Sequence, residues 1–133
     1  MATILDKTLA KQVLLRFPDR FRTEHIDLAM PGFSGAMIAR VSCAAGDYCL
    51  RGWPPNGMPE QRLLGLHNLL RHVYDQGVVS VSVPVTAYDG STLVFLHNRV
   101  WQLEPWMPGT ADFWNNTSES RLRAAMRCLA AWH

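Results

Sequence analysis

The sequence predicts an α+β fold in which a small antiparallel sheet of about five strands carries an inserted helix and is flanked by a helix at each end. Three observations predict it. Leu5, Leu9, Val13 and Phe17 recur at helical spacing. Met37, Ala39, Val41 and Cys43 then alternate with Ile38, Arg40 and Ser42, the period of a strand. Leu63, Leu66, Leu70 and Val73 restore the helical period before a second group of β-rich segments.

Taken in order, the first helix is expected from about Asp6 to Phe17 and is closed by Pro18. Strands follow at Met37 to Cys43 and Tyr48 to Trp53, joined by the turn Ala44-Ala45-Gly46-Asp47, and Gly32 to Ala36 lies between strands. Pro54-Pro55-Asn56-Gly57 ends the second strand, and Pro59 suits the first turn of a helix that Gly77 stops. Val81 to Tyr88, Thr92 to Leu96 and Val100 to Trp106 are rich in β-formers and read as a meander, divided by Asp89-Gly90 and His97-Asn98-Arg99. Asn116 with Glu119 resembles a capping box, and Leu122, Met126, Leu129 and Trp132 form one face of a last helix.

Composition narrows the function. At 133 residues with nearly half of them apolar, the chain is one domain with a real core. No apolar run approaches a membrane span and the N-terminus lacks a signal-peptide pattern, so a soluble, cytoplasmic protein with no membrane partner is expected. Cys43, Cys49 and Cys128, an odd number without CxxC spacing, argue against a disulfide framework and a zinc site. A net charge of +2 with scattered arginines gives no basis for a nucleic-acid partner. Both lysines, Lys7 and Lys11, lie near the start, so chemistry further along that needs a cation must use arginine.

Gly32-Phe33-Ser34-Gly35-Ala36 misses the G-x-S-x-G nucleophile elbow at Ala36 and is followed by a strand where the elbow needs a helix. Two readings stay open: an ordinary glycine hairpin, or a turn whose bare backbone folds over phosphate. Cys49, Arg51 and Trp53 share one strand face, and Arg51 is either an edge arginine or a phosphate-directed cation.

The order of a glycine hairpin, Tyr48-Cys49-Leu50-Arg51, a helix, further strands and Trp101-Gln102-Leu103-Glu104-Pro105-Trp106-Met107-Pro108-Gly109 resembles the aminoglycoside phosphotransferase and choline kinase-like family. Trp53-Pro54-Pro55 and the closing Leu129-Ala130-Ala131-Trp132-His133 are similar to it as well. The resemblance implies a kinase-like N-lobe over residues 1–104, with 105–133 as the hinge and a first helical segment leading to a C-lobe. It implies a nucleotide site at Gly32, Ser34 and Gly35 for phosphates, Cys49 against adenine, Arg51 toward phosphate, and the hinge residues Glu104 and Trp106. Arg51 stands where kinases carry lysine, and a planar guanidinium is not equivalent to an ammonium there. A kinase pairs that cation with a glutamate of the next helix; the acids between Gly57 and Gly77 are Glu60 and Asp75, and for Glu60, in the first turn, complementing the helix dipole is the other reading.

His67 and His72, five apart, are poorly spaced for a shared metal and read as packing or surface residues. Trp101, Trp106, Trp114 and Trp132 read as core and hinge packing. Phosphoryl transfer needs an H-x-D-x-x-x-x-N loop and a D-F-G-like segment. His25-Ile26-Asp27 has Gly32 where the asparagine belongs, and Asp112-Phe113-Trp114 lacks the glycine. No catalytic or metal residue is therefore assigned here. The chain alone is expected to be inactive: a lobe that binds ATP weakly, uses Mg²⁺ and a small-molecule acceptor only with a C-lobe, and self-associates through the hinge and last helix. The alternative is a non-catalytic interaction module.

Overall fold

The computed structural model describes residues 4–29, 31 and 33–133. Asp6 opens α1 (Lys7–Leu14), its carboxylate accepting from the Leu9 N–H at 2.7 Å. The helix tightens beyond Leu14, where Arg16 and Phe17 donate three residues back, and this last turn drives Phe17 wholly into the core. A short 3₁₀ turn, Asp19–Phe21, buries Phe21 beside it.

The sheet has five antiparallel strands: β1 (Ile26–Ala29), β2 (Met37–Cys43), β3 (Gly46–Gly52), β4 (Val94–Leu96) and β5 (Arg99–Pro105), in the order β1-β2-β3-β5-β4. Between β3 and β4 lies α2 (Glu60–Asp75), and α3 (Glu119–Trp132) follows β5. The alternation read from the sequence sorts the two faces. Ala39, Val41, Leu50, Trp101 and Leu103 point to one side and pack with Leu9, Val13, Leu14, Phe17 and Phe21 as the core. Gly52 makes room there, since a Cβ at this position would stand 2.5 Å from the Trp101 ring.

Several expected elements change. Val81 to Tyr88 forms no strand: Pro84 has no N–H to offer, and the segment touches β5 through the Val85 N–H to the Leu103 carbonyl at 2.7 Å and the Ser82 hydroxyl to the Pro105 carbonyl at 2.8 Å. Of Thr92 to Leu96, only Val94–Leu96 is strand. β1 lies ahead of the glycine turn, where the sequence assigned no strand limits; it is a four-residue edge strand with Ile26 alone buried. The cap of α3 is Ser118, in extended backbone and accepting from the Arg121 N–H at 3.2 Å, rather than Asn116; Glu119 pairs with Arg123 instead of closing a capping box. On α2 the buried residues are Leu63 and His67, whereas Leu66 is 40% exposed. The chain turns from β4 to β5 through His97 and Asn98, both at positive φ (51° and 57°), as a two-residue hairpin requires.

No helix among the described residues is long and apolar enough to cross a membrane. α3 has no buried residue, and Leu122, Met126, Leu129 and Trp132 lie exposed along it.

Candidate functional site

Strand register assembles the second face of the sheet. Arg40 pairs with Cys49, Cys49 with Glu104, Ile38 with Arg51 and Arg51 with Gln102, and directly opposite residues of an antiparallel sheet share a side. Cys49, Arg51, Gln102 and Glu104 therefore stand together, opposite the core.

Their side chains form one connected network. The Arg51 guanidinium donates to Glu104 Oε1 from Nε at 3.0 Å and from Nη2 at 2.7 Å. Glu104 Oε2 accepts from Gln102 Nε2 at 2.9 Å. Gln102 Oε1 in turn accepts from the Trp53 indole N–H at 2.7 Å and meets His67 Nε2 at 3.0 Å. An indole only donates and a carboxylate only accepts, so the Gln102 amide has one possible orientation. His67 Nε2 must then carry the proton, and Nδ1 accepts from the Thr92 hydroxyl at 2.7 Å. Burial holds the His67 pKa below its ordinary value, which suits this neutral tautomer. His67, Gln102 and Glu104 are the buried polar residues among those described, and all three are satisfied.

Charge on this face is settled by the same contacts. Burial works against the Arg51 charge, and Glu104, by charge and hydrogen bond, outweighs it and lifts the pKa further above the ordinary guanidinium value. Burial, then the neighbouring Glu104 carboxylate, push the Cys49 thiol up to about 11, so Cys49 is a small apolar surface and not a nucleophile. Nη1 of Arg51 has no hydrogen-bond partner among the described residues.

The face has a direction. At one end, the turn between β1 and β2 enters β2 at Met37, opposite Gly52. Here Gly35 has φ of 71°, which calls for glycine, and Ser34 and Gly35 are exposed; the Ser34 hydroxyl accepts from the Ala36 N–H at 3.4 Å. Gly32 lies outside the described residues. At the other end β5 leaves the sheet, where the Trp106 N–H donates to the Asp47 carbonyl at 2.9 Å. The Arg40 guanidinium lies 5.0 Å from the Trp106 ring centroid and pairs with Asp47 at 2.5 Å, which lowers the Asp47 pKa.

Glu60 stands exposed in the first turn of α2, and the carboxylate paired with Arg51 is Glu104 from β5. The structure thus brings Cys49, Arg51 and Glu104 together, leaves Glu60 in the position that complements the helix dipole, and sets Trp106 at the far end. Sequence reasoning missed Gln102, Trp53 and His67 as the groups that hold Arg51 and Glu104. One signal was available: Gln102 and Glu104 alternate with Trp101 and Leu103, so a strand otherwise apolar carries two polar residues on one side. Among the described residues no cluster of His, Cys, Asp and Glu is suited to a metal. A cavity of about 460 Å³, lined by residues that include Thr8, Gln12, Leu14 and Arg22, lies away from this face, beside α1.

No protein-family model matches the chain, and no curated protein sequence matches it. Solved structures do. Amicoumacin kinase hAmiN, in complex with AMP-PNP, Ca²⁺ and Ami, superposes over 83% of this chain with a TM-score of 0.65 and 18% identity. Spectinomycin phosphotransferase APH(9)-Ia, in complex with ADP and spectinomycin, does so over 98% with a TM-score of 0.72 and 12% identity. The chain spans 34% and 38% of the lengths of those two proteins. With its five-stranded antiparallel sheet and inserted helix, the chain has the fold of a kinase-like N-lobe, similar to part of these antibiotic phosphotransferases.

Proposed function

We propose that this chain is the nucleotide-covering N-terminal portion of a cytoplasmic, ATP-dependent small-molecule phosphotransferase. The observation that carries the reading is the direction of the polar face. A nucleotide laid along β3 would place adenine against Cys49 and the hinge at Glu104 to Trp106. Its phosphates would then reach Arg51 Nη1 and the turn at Ser34 and Gly35, two residues further along the strand. Residues 1–104 would form the lobe and 105–133 the hinge and a helix leading to a second lobe. The magnesium ligands, the hydroxyl-positioning aspartate and the acceptor site would belong to that second lobe, and it would seat on the apolar row of α3. Self-association of the isolated chain through that row belongs to the same reading, and sedimentation measures it.

A second reading, a non-catalytic binding module, draws on Arg51 itself: it replaces the usual lysine and is already held by Glu104. Titration with ATP and Mg²⁺, followed by amide NMR, separates the two. One wall of a nucleotide cleft should give a Kd on the order of 1 mM, about 4 kcal/mol. Shifts should centre on Cys49, Arg51 and Glu104 and should weaken in Arg51→Ala. No shift on this face at high ATP concentration would leave the interaction module standing.

A further inference from the structure

We infer that His67 is a positioning residue that couples the seat of α2 to the direction in which Arg51 presents its free edge. The inference deepens the reading of Arg51 as a nucleotide contact and rests on it. Two of the sixteen residues of α2 are buried, Leu63 and His67. Leu63 supplies packing that tolerates sliding, whereas His67 supplies the helix's directional contact with the sheet, 3.0 Å from Gln102 Oε1.

From that point each group fixes the next. Gln102 Oε1 has two lone pairs, and Trp53 and His67 occupy both. The amide so held aims Nε2 at Glu104 Oε2, 2.9 Å away, and this sets the plane of the carboxylate. Both Arg51 donors then converge on the remaining oxygen, at 2.7 and 3.0 Å, which leaves Nη1 as the outward edge. A shift of α2 cannot be absorbed silently, because a half-satisfied buried network is worse than either end state. On the far side of the imidazole, the Thr92 hydroxyl donates to Nδ1 at 2.7 Å and so supports the tautomer that Gln102 requires. Arg51 thus reports the position of a helix with which it shares no hydrogen bond among the described residues, and the carboxylate between them comes from β5 rather than from the helix.

The Arg51 Nε–H resonance, measured slightly below neutral pH, tests this directly, because the proton is protected only while Glu104 holds it. His67→Leu keeps the bulk and removes the donor, and solvent exchange of that proton should rise about tenfold, the equivalent of roughly one net hydrogen bond. His67→Gln, which keeps a donor, should restore it. Thr92→Val, a milder change made away from Gln102, should move exchange in the same direction and covers the case in which His67→Leu fails to fold. The same variants titrated with ATP should bind more weakly in the same order. Unchanged Arg51 exchange in Thr92→Val and in folded His67→Leu, with ATP binding intact, refutes the coupling. Altered exchange in a protein whose Arg51 never responds to ATP supports the coupling and refutes the nucleotide reading instead.

Discussion

Replacing Glu104 by glutamine removes one charge with almost no change in volume, and the network leaves the new amide no good orientation. Gln102 cannot rotate, because its oxygen serves Trp53 and His67, so its nitrogen stays aimed at position 104. If the new side chain turns its oxygen to Arg51, its own nitrogen faces the Gln102 nitrogen, donor against donor. If it turns the other way, Arg51 loses both hydrogen bonds. Breaking a fully buried ion pair costs about 3–5 kcal/mol. The Arg51 side chain is 29% exposed and water recovers part of that, which brings the expected loss to about 2–3 kcal/mol, one charge-assisted hydrogen bond plus an unsatisfied donor. At roughly 3–4 °C per kcal/mol for a domain of this size, Tm should fall by about 6–12 °C. Urea unfolding beside Glu119→Gln calibrates the result, since the Arg123–Glu119 pair is 68% and 75% exposed and pairs of that kind contribute about 0.3–0.5 kcal/mol. If Glu104→Gln loses no more than Glu119→Gln, the network does not hold the sheet face as argued.

Gly52→Ala should destabilise by about 2–3 kcal/mol in thermal unfolding, because its Cβ would stand 2.5 Å from a Trp101 ring that is fully buried and has no room to move; a neutral result would mean that Trp101 repacks. His67 makes stability fall in mild acid. Its folded pKa lies below the ordinary 6.5, chiefly through burial, so from about 6.5 downward the unfolded chain binds a proton that the folded chain refuses, until pH reaches the folded value. Unfolding curves taken across that window should slope more steeply for the wild-type chain than for His67→Gln, and parallel curves would contradict a neutral His67.

Much of the fold was legible because period alone determines it. The four-residue spacing from Leu5 to Phe17 and the alternation from Met37 to Cys43 each have one structural solution, and α1 and β2 follow. Val81 to Tyr88 misled because β-branched residues report a preference for extended backbone, while strand formation also needs a neighbour and a free N–H, and Pro84 withholds one. β1 escaped because an edge strand of four residues buries a single side chain. His67 escaped for a different reason. Leucines define a helix face only when the surface opposite is apolar, and the sheet side that receives His67 carries Gln102 and Glu104. That Cys49 and Arg51 share a face was readable from the strand period. That Glu104 closes on Arg51 was not, since it depends on β5 lying beside β3, and these strands are separated by α2 and β4 in the chain.

β5 limits how this protein can change by descent. Trp101 and Leu103 belong to its core side, Gln102 and Glu104 to its polar side, and no residue between them is idle. A point substitution there disturbs one side. An insertion or deletion of one residue would turn the rest of the strand over, delivering Gln102 and Glu104 to the core and Trp101 and Leu103 to the polar face together. Substitutions within this strand should therefore be tolerated one at a time far better than any change in its length between Val100 and Pro105, whereas insertions should be accommodated in the exposed residues 107–111.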